Sequence, residues 1–181
     1  MTSELEVLRL VVGRLDAAGL PYMLTGSVAL TCYGQPRGTR DLDIVVAVVS
    51  GEATRLAKLF AGEFYLDADV VRDAIERRSQ FNMIHLEALI KVDMIVLPAE
   101  GYFVQAFGRR QRLAADGVEC EVIAPEDLVL TKLWWARDTR SEVQLGDVRR
   151  VLAGTPDLDR GYLTHWAAVL GVASLLEEVQ E

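Results

Sequence analysis

The chain reads as an α+β protein, a mixed β-sheet flanked by helices and followed by a C-terminal helical segment. Three observations predict this class. Short β-rich apolar runs recur at 22–24, 41–48, 81–85, 91–97, 109–114 and 118–123. Segments of helical period fall between them, and beyond Pro125 the period is helical throughout. The expected division is therefore a core over residues 1–123 and a helical segment over 124–181, packed on it.

Each element has its own signal. Leu5, Leu8, Val11, Val12 and Leu15 share one helical face, giving an amphipathic helix over 3–18. Tyr22–Leu24 is a short strand that ends at Thr25-Gly26-Ser27, and Val28–Tyr33 reads as a helix started by Ser27 or Thr25. Pro36 and Gly38 make 35–39 a loop. Asp41–Val48 is apolar on both faces beyond Asp43, the pattern of a central strand. Helices are expected over 52–61 and 69–78, and a hairpin from 81–85 and 91–97. Asp116-Gly117 is a two-residue turn signal between 109–114 and 118–123. Pro125 suits the first turn of a helix, and further helices follow near 141–152, 159–169 and 172–180.

Composition narrows the function classes. With 51% hydrophobic and 25% charged residues in 181, the chain can bury a core and is not of a disordered type. Its apolar runs are too short to cross a bilayer, and Glu4, Glu6 and Asp16 spoil the N-terminus as a secretory signal. Cys32 and Cys120 make no disulfide framework and read as buried, reduced thiols, so the expected location is the cytoplasm, with no membrane partner. A net charge of −8 disfavours broad nucleic-acid binding, although Arg109, Arg110 and Arg112, or Arg72, Arg77 and Arg78, offer local basic clusters.

The chemistry-bearing residues are acidic. Asp41 and Asp43 lie two apart on one strand, so both carboxylates face the same side. Like charges at the mouth of a buried strand repel each other, and a divalent cation relieves them; magnesium favours carboxylates together with phosphate oxygens. Asp93, inside the apolar run Val92–Leu97, needs a cation or a basic partner such as Lys91. Gly26-Ser27 joins a strand to a helix start, where close backbone approach and free N–H groups favour phosphate. Two histidines, His85 and His165, with no histidine–cysteine cluster, argue against zinc.

Gly26-Ser27, thirteen residues, then Asp41-Leu42-Asp43 resembles the signature of the DNA polymerase beta-like nucleotidyltransferase superfamily. Tyr33-Gly34, Arg37-Gly38-Thr39-Arg40, Phe81–Ile84, Pro125–Leu128, Lys132-Leu133 and Ser141–Val148 look like segments of small bacterial members related to toxin–antitoxin and abortive-infection nucleotidyltransferases. The resemblance implies a nucleotidyltransferase-type mixed sheet. It also implies two magnesium ions (or manganese) held by Asp41, Asp43 and Asp93, which are thereby the catalytic residues. Gly26 and Ser27 would bind the nucleoside triphosphate, and the acceptor would be a protein, a tRNA or a small molecule. A toxin–antitoxin partner protein is implied as well, and with it an alternative: a non-catalytic, nucleotide-binding antitoxin or scaffold that keeps the fold. No counterpart of the extra acceptor domain of polymerases or aminoglycoside-modifying members is expected. Lys132 would approach the triphosphate or lie solvated on its helix. Arg37 and Arg40 would clamp phosphate or neutralise Asp41 and Asp43. Trp134-Trp135 would stack on a base or pack in the interior. Ser141, Gln144 and Asp147 share a helical face that would border the nucleotide or hydrogen-bond a neighbouring helix.

Overall fold

A computed structural model of the chain describes residues 3–34, 41–99 and 101–180. The Arg37 and Arg40 expectations, and the loop over 35–39, lie outside the described residues. Helix α1 (Glu4–Ala18) begins at a reciprocal cap between Ser3 and Glu6 and ends at Gly19 in the left-handed region. It leads into strand β1 (Tyr22–Thr25), which runs directly into a four-residue helix α2 (Gly26–Ala29) and a 3-10 turn over Leu30–Cys32. The helix expected over 28–33 thus starts two residues earlier and tightens midway.

Strand β2 (Asp41–Val46) is followed by helix α3 (Ala53–Phe60), a two-residue strand β3 (Phe64–Tyr65) and helix α4 (Ala68–Arg77). The Asp67 carboxylate caps α4 by accepting from the backbone N–H groups of Asp69 and Val70. Strands β4 (Gln80–His85) and β5 (Lys91–Val96) form the expected antiparallel hairpin. Helix α5 (Gly101–Gly108) precedes the hairpin of β6 (Gln111–Ala115) and β7 (Val118–Val122). At its turn Asp116 and Gly117 have φ of 47° and 79°, the paired positive values of a type I′ turn. Helices α6 (Pro125–Ala136), α7 (Glu142–Gly154), α8 (Arg160–Val169) and α9 (Ala173–Gln180) complete the chain.

The strands form one seven-stranded sheet in the order β3-β4-β5-β2-β1-β7-β6. As its composition predicts, β2 is central, antiparallel to β1 and parallel to β5. Strand alternation then sorts the side chains. Leu42, Ile44, Val46, Val92, Met94 and Val96 are all at most 1% exposed on one face. The opposite face of the same strands carries Asp41, Asp43, Lys91 and Asp93, which keep partial access to solvent. Among the described residues no helix is long and apolar enough to cross a membrane. Cys120 is buried as expected, whereas Cys32 is half-buried; both are free thiols.

The arginines of both clusters have intramolecular partners. Arg109 pairs with Glu126 and Asp127, Arg110 with Glu121, and Arg112 with Asp16 and Glu121. Arg72 and Arg77 pair with Asp69 and Asp73 along α4, and Arg78 donates to the Leu97 carbonyl. Arg72 and Arg77 nevertheless keep more than half of their side chains exposed.

Candidate active site

The acidic centre follows from strand register. Pairing of β2 with β5 sets Asp43 opposite Asp93 and Asp41 opposite Lys91, while β1 sets Thr25 opposite Asp43. Neighbouring strands lie about 4.8 Å apart, so Asp43 on β2 and Asp93 on β5, far apart in sequence, become immediate neighbours. Gly26, the first residue after β1, has φ of +65°. A Cβ built there would fall on the Asp43 carboxylate, 2.6 Å from its Cγ. The position thus requires glycine twice over, for backbone conformation and for room.

Burial and repulsion shape the charges. Desolvation, followed by the neighbouring Asp93 charge, pushes the Asp43 carboxyl up from its ordinary 3.8 to about 6, against the pull of Lys132. Asp93 divides its two oxygens. Oδ2 accepts from the Lys91 ammonium at 2.9 Å, the pairing weighed from sequence, but Oδ1 is buried without a hydrogen-bond partner among the described residues. Lys91 Nζ also lies 4.0 Å from Asp41 Oδ2, and its hydrogen bond with Asp93 raises the amine above its ordinary range.

This donor set suits a hard divalent cation. Its candidate donors are all carboxylate oxygens, one is a buried oxygen without a hydrogen-bond partner among the described residues, and one carboxyl is raised by burial and then by its acidic neighbour; a cation between Asp43 and Asp93 would relieve the unpaired oxygen and the repulsion. The carboxylates are not drawn together into a ready cage. Among the described residues, no group of three or more His, Cys, Asp or Glu side chains is arranged to hold a metal ion as it stands.

A cleft of about 800 Å³ opens beside this centre. Met23, Thr25, Gly26, Ser27, Asp43, Val45 and Ile95 contribute its sheet side. Phe103, Trp134 and Trp135 form an aromatic wall, with Arg77 and Arg78 also on the lining. Of the three carboxylates Asp43 lines the cleft, and Asp41 and Asp93 stand next to it in register. The two tryptophans differ in their surroundings. Trp134 meets Phe103 edge to face with centroids 5.4 Å apart, whereas Trp135 is 54% exposed.

Lys132 also lines the cleft, yet it is not a solvated helix lysine. Its side chain is 4% exposed, and Nζ donates to Asp147 Oδ2 at 2.8 Å and to Gln144 Oε1 at 3.2 Å. Asp147 Oδ1 in turn accepts from Arg150 at 2.8 Å. The shared face of Gln144 and Asp147 therefore serves α6–α7 hydrogen bonding, and through Lys132 it reaches the cleft. Sequence offered Asp147 as a helix–helix hydrogen-bonding residue without its partner, Lys132, because that partner lies on another helix. A second buried network ties the helical segment to the sheet: Arg109 reaches Asp127 and Glu126, stacks over Tyr162 at 3.9 Å, and Tyr162 donates to Asp127 at 2.7 Å.

By sequence, neither a family model nor a curated protein matches the chain. Solved structures do. An antigenic nucleotidyltransferase-like protein from Paracoccidioides brasiliensis is similar with a TM-score of 0.60 at 19% identity, over 94% of this chain and 90% of that one. ANT(2'')-Ia, solved in complex with adenylyl-2''-tobramycin, gives 0.57 at 14% identity, over 94% of this chain and 98% of that one. The lincosamide antibiotic adenylyltransferase LnuA, lincomycin-bound, gives 0.54 at 13% identity, over 82% of this chain and 96% of that one. Because nearly all of ANT(2'')-Ia is covered, the expected contrast with members carrying an extra acceptor domain does not hold for that protein. The likeness is one of fold: this chain has the nucleotidyltransferase-type fold, and its Gly26-Ser27 turn and its acidic pair lie side by side in that fold's sheet.

Proposed function

We propose that the protein is a nucleotidyltransferase, moving a nucleoside monophosphate from a nucleoside triphosphate to an acceptor with release of pyrophosphate. The observation that carries this reading is the juxtaposition of Gly26, Asp43 and Asp93 at the edge of a cleft that Lys132 also lines. In the transfer, an acceptor oxygen forms a bond to the α-phosphorus as the bond from that phosphorus to the β-bridging oxygen breaks. Pyrophosphate leaves with the electron pair, and the acceptor's proton passes to Asp93, directly or through water. The unpartnered Oδ1 of Asp93 is the oxygen able to receive it.

Gly26 and Ser27 seat the β- and γ-phosphates, the glycine because a side chain there would displace Asp43. Lys132, aimed by Asp147 and Gln144, supplies positive charge to the same end of the cleft. Asp41, Asp43 and Asp93 would hold divalent ions, magnesium or manganese, whose bound charge would offset that of the leaving pyrophosphate and lower the acceptor's pKa. Arg37 and Arg40 are assigned to phosphate or to the acids on sequence grounds alone. Residues 124–181 act as a helical segment serving the 1–123 core, with Lys132 its contribution to the cleft.

The wall of Phe103, Trp134 and Trp135 favours an acceptor or base with a flat apolar face. The test is pyrophosphate release with magnesium and each nucleoside triphosphate, with and without acceptors. A thermal-shift series accompanies it. Stabilisation by magnesium and nucleotide together, lost with EDTA, is expected. Stabilisation without any pyrophosphate release would favour the non-catalytic antitoxin or scaffold reading, and the absence of both would overturn the site.

A further inference from the structure

The acidic centre already contains a cation of its own. Lys91 stands two residues before Asp93 on the same strand, so its side chain emerges on the same sheet face. Parallel pairing also puts it directly across from Asp41. Its ammonium therefore meets both carboxylates, at 2.9 Å from Asp93 Oδ2 and 4.0 Å from Asp41 Oδ2. It leaves Asp93 Oδ1 without a hydrogen-bond partner among the described residues, and it holds one of the oxygens that a divalent ion needs. The Lys91 side chain is 41% exposed on a flexible four-carbon stem, so it can swing into solvent without being stranded.

We propose that Lys91 is a tethered competitor for the metal position. Its ammonium secures Asp93 while the centre is metal-free, and a divalent ion fills the centre only as Lys91 releases Asp93. Lys91 thereby sets the divalent-ion concentration at which the site loads. It also explains why the three carboxylates are not converged as they stand. This inference rests on the reading of Asp41, Asp43 and Asp93 as the metal-holding set.

Manganese binding by the intact protein, without nucleotide, tests it by electron paramagnetic resonance or calorimetry. Lys91→Met and Lys91→Gln should each bind Mn²⁺ up to about fivefold more tightly than the parent, the size of a partly exposed ion pair expressed as affinity. The gain should vanish in the Lys91→Met, Asp93→Asn double variant, which separates this centre from other acidic patches. Binding by the variants but not by the parent would support the proposal in its strongest form. Equal or weaker binding by folded variants would overturn the role of Lys91 while leaving the metal site standing. No binding at millimolar Mn²⁺ by parent and variants alike would overturn both.

Discussion

Replacing Asp43 by Asn removes a charge and keeps the shape, and the structure gives that change an unusual sign. Carboxylates that gain a cationic partner on folding ionise more readily; Asp43, raised first by burial and then by its acidic neighbour, ionises less readily, with a pKa of about 6 against an ordinary 3.8. Between those two values the folded state binds more protons than the unfolded state, so the stability contributed by this group falls as pH rises. At about 1.4 kcal/mol per pH unit the full penalty above pH 6 is about 3 kcal/mol. Asp43 borders the cleft and is reached by solvent, which reduces the expected gain of Asp43→Asn to between about 1 and 3 kcal/mol. Urea denaturation in EDTA at several pH values measures it. The variant should be the more stable at pH 7.5, its advantage should shrink as pH falls from 6 towards 3.8, and it should be gone only well below 3.8, where the parent carboxyl is protonated in both states. Titrating groups far from Asp43 are common to both proteins and cancel in the difference, leaving Asp43 and the neighbours coupled to it. Magnesium with nucleotide should narrow the gap by stabilising the parent alone. A variant less stable than the parent at pH 7.5, or a gain independent of pH, would refute the argument and make Asp43 a structural residue.

Three further outcomes are expected. Gly26→Ala forces a non-glycine residue to φ of +65° and drives its Cβ into Asp43, so it should cost about 1–2 kcal/mol by denaturation and weaken nucleotide binding in the thermal-shift assay; an unchanged response would remove Gly26 from the phosphate seat. Asp93→Asn should lower turnover by at least ~10²-fold with much less effect on nucleotide affinity, and, because Lys91 is partly exposed, with little loss of stability; normal turnover would exclude Asp93 from the chemistry. Asp147→Asn leaves the buried Lys132 with Gln144 as its remaining uncharged partner and should cost about 3 kcal/mol, measured by urea denaturation, together with weaker triphosphate binding; a loss below about 0.5 kcal/mol would show that the pair carries little.

The parts of the fold legible from sequence are those whose signal is local. The central position of β2 follows from its apolar run, and the β6–β7 turn from Asp116-Gly117, because each pattern is completed within a few residues. Strand β3 escaped notice since two residues, Phe64-Tyr65, carry no period. Helix α5 escaped because Gly101 and Gly108 bound a short and largely apolar segment with no alternating polar face. In the site, Asp41, Asp43 and Asp93 stood out as acids inside apolar runs. The state of Lys132 was not legible. Helix α6 is buried nearly all round, so Glu126, Asp127 and Lys132 occupy interior positions that no helical period distinguishes from a solvated face. The partners of the arginine clusters were not legible for a related reason. The acid that neutralises Arg112 is Asp16, 96 residues away in the chain.

The in-register pairing of β2 with β5 has a bearing on how this molecule can change over generations. Both strands are interior to the sheet, so the interval between Asp43 and Asp93 is a property of the backbone ladder and resists adjustment by substitutions nearby. The opposite wall is built differently, from Phe103 on α5 and from Trp134 and Trp135 at the end of α6, side chains whose size and polarity one codon can alter. New specificities can therefore be sampled on that wall while the reactive end stays in place. A lineage on this scaffold is free to exchange its acceptors far more readily than its chemistry.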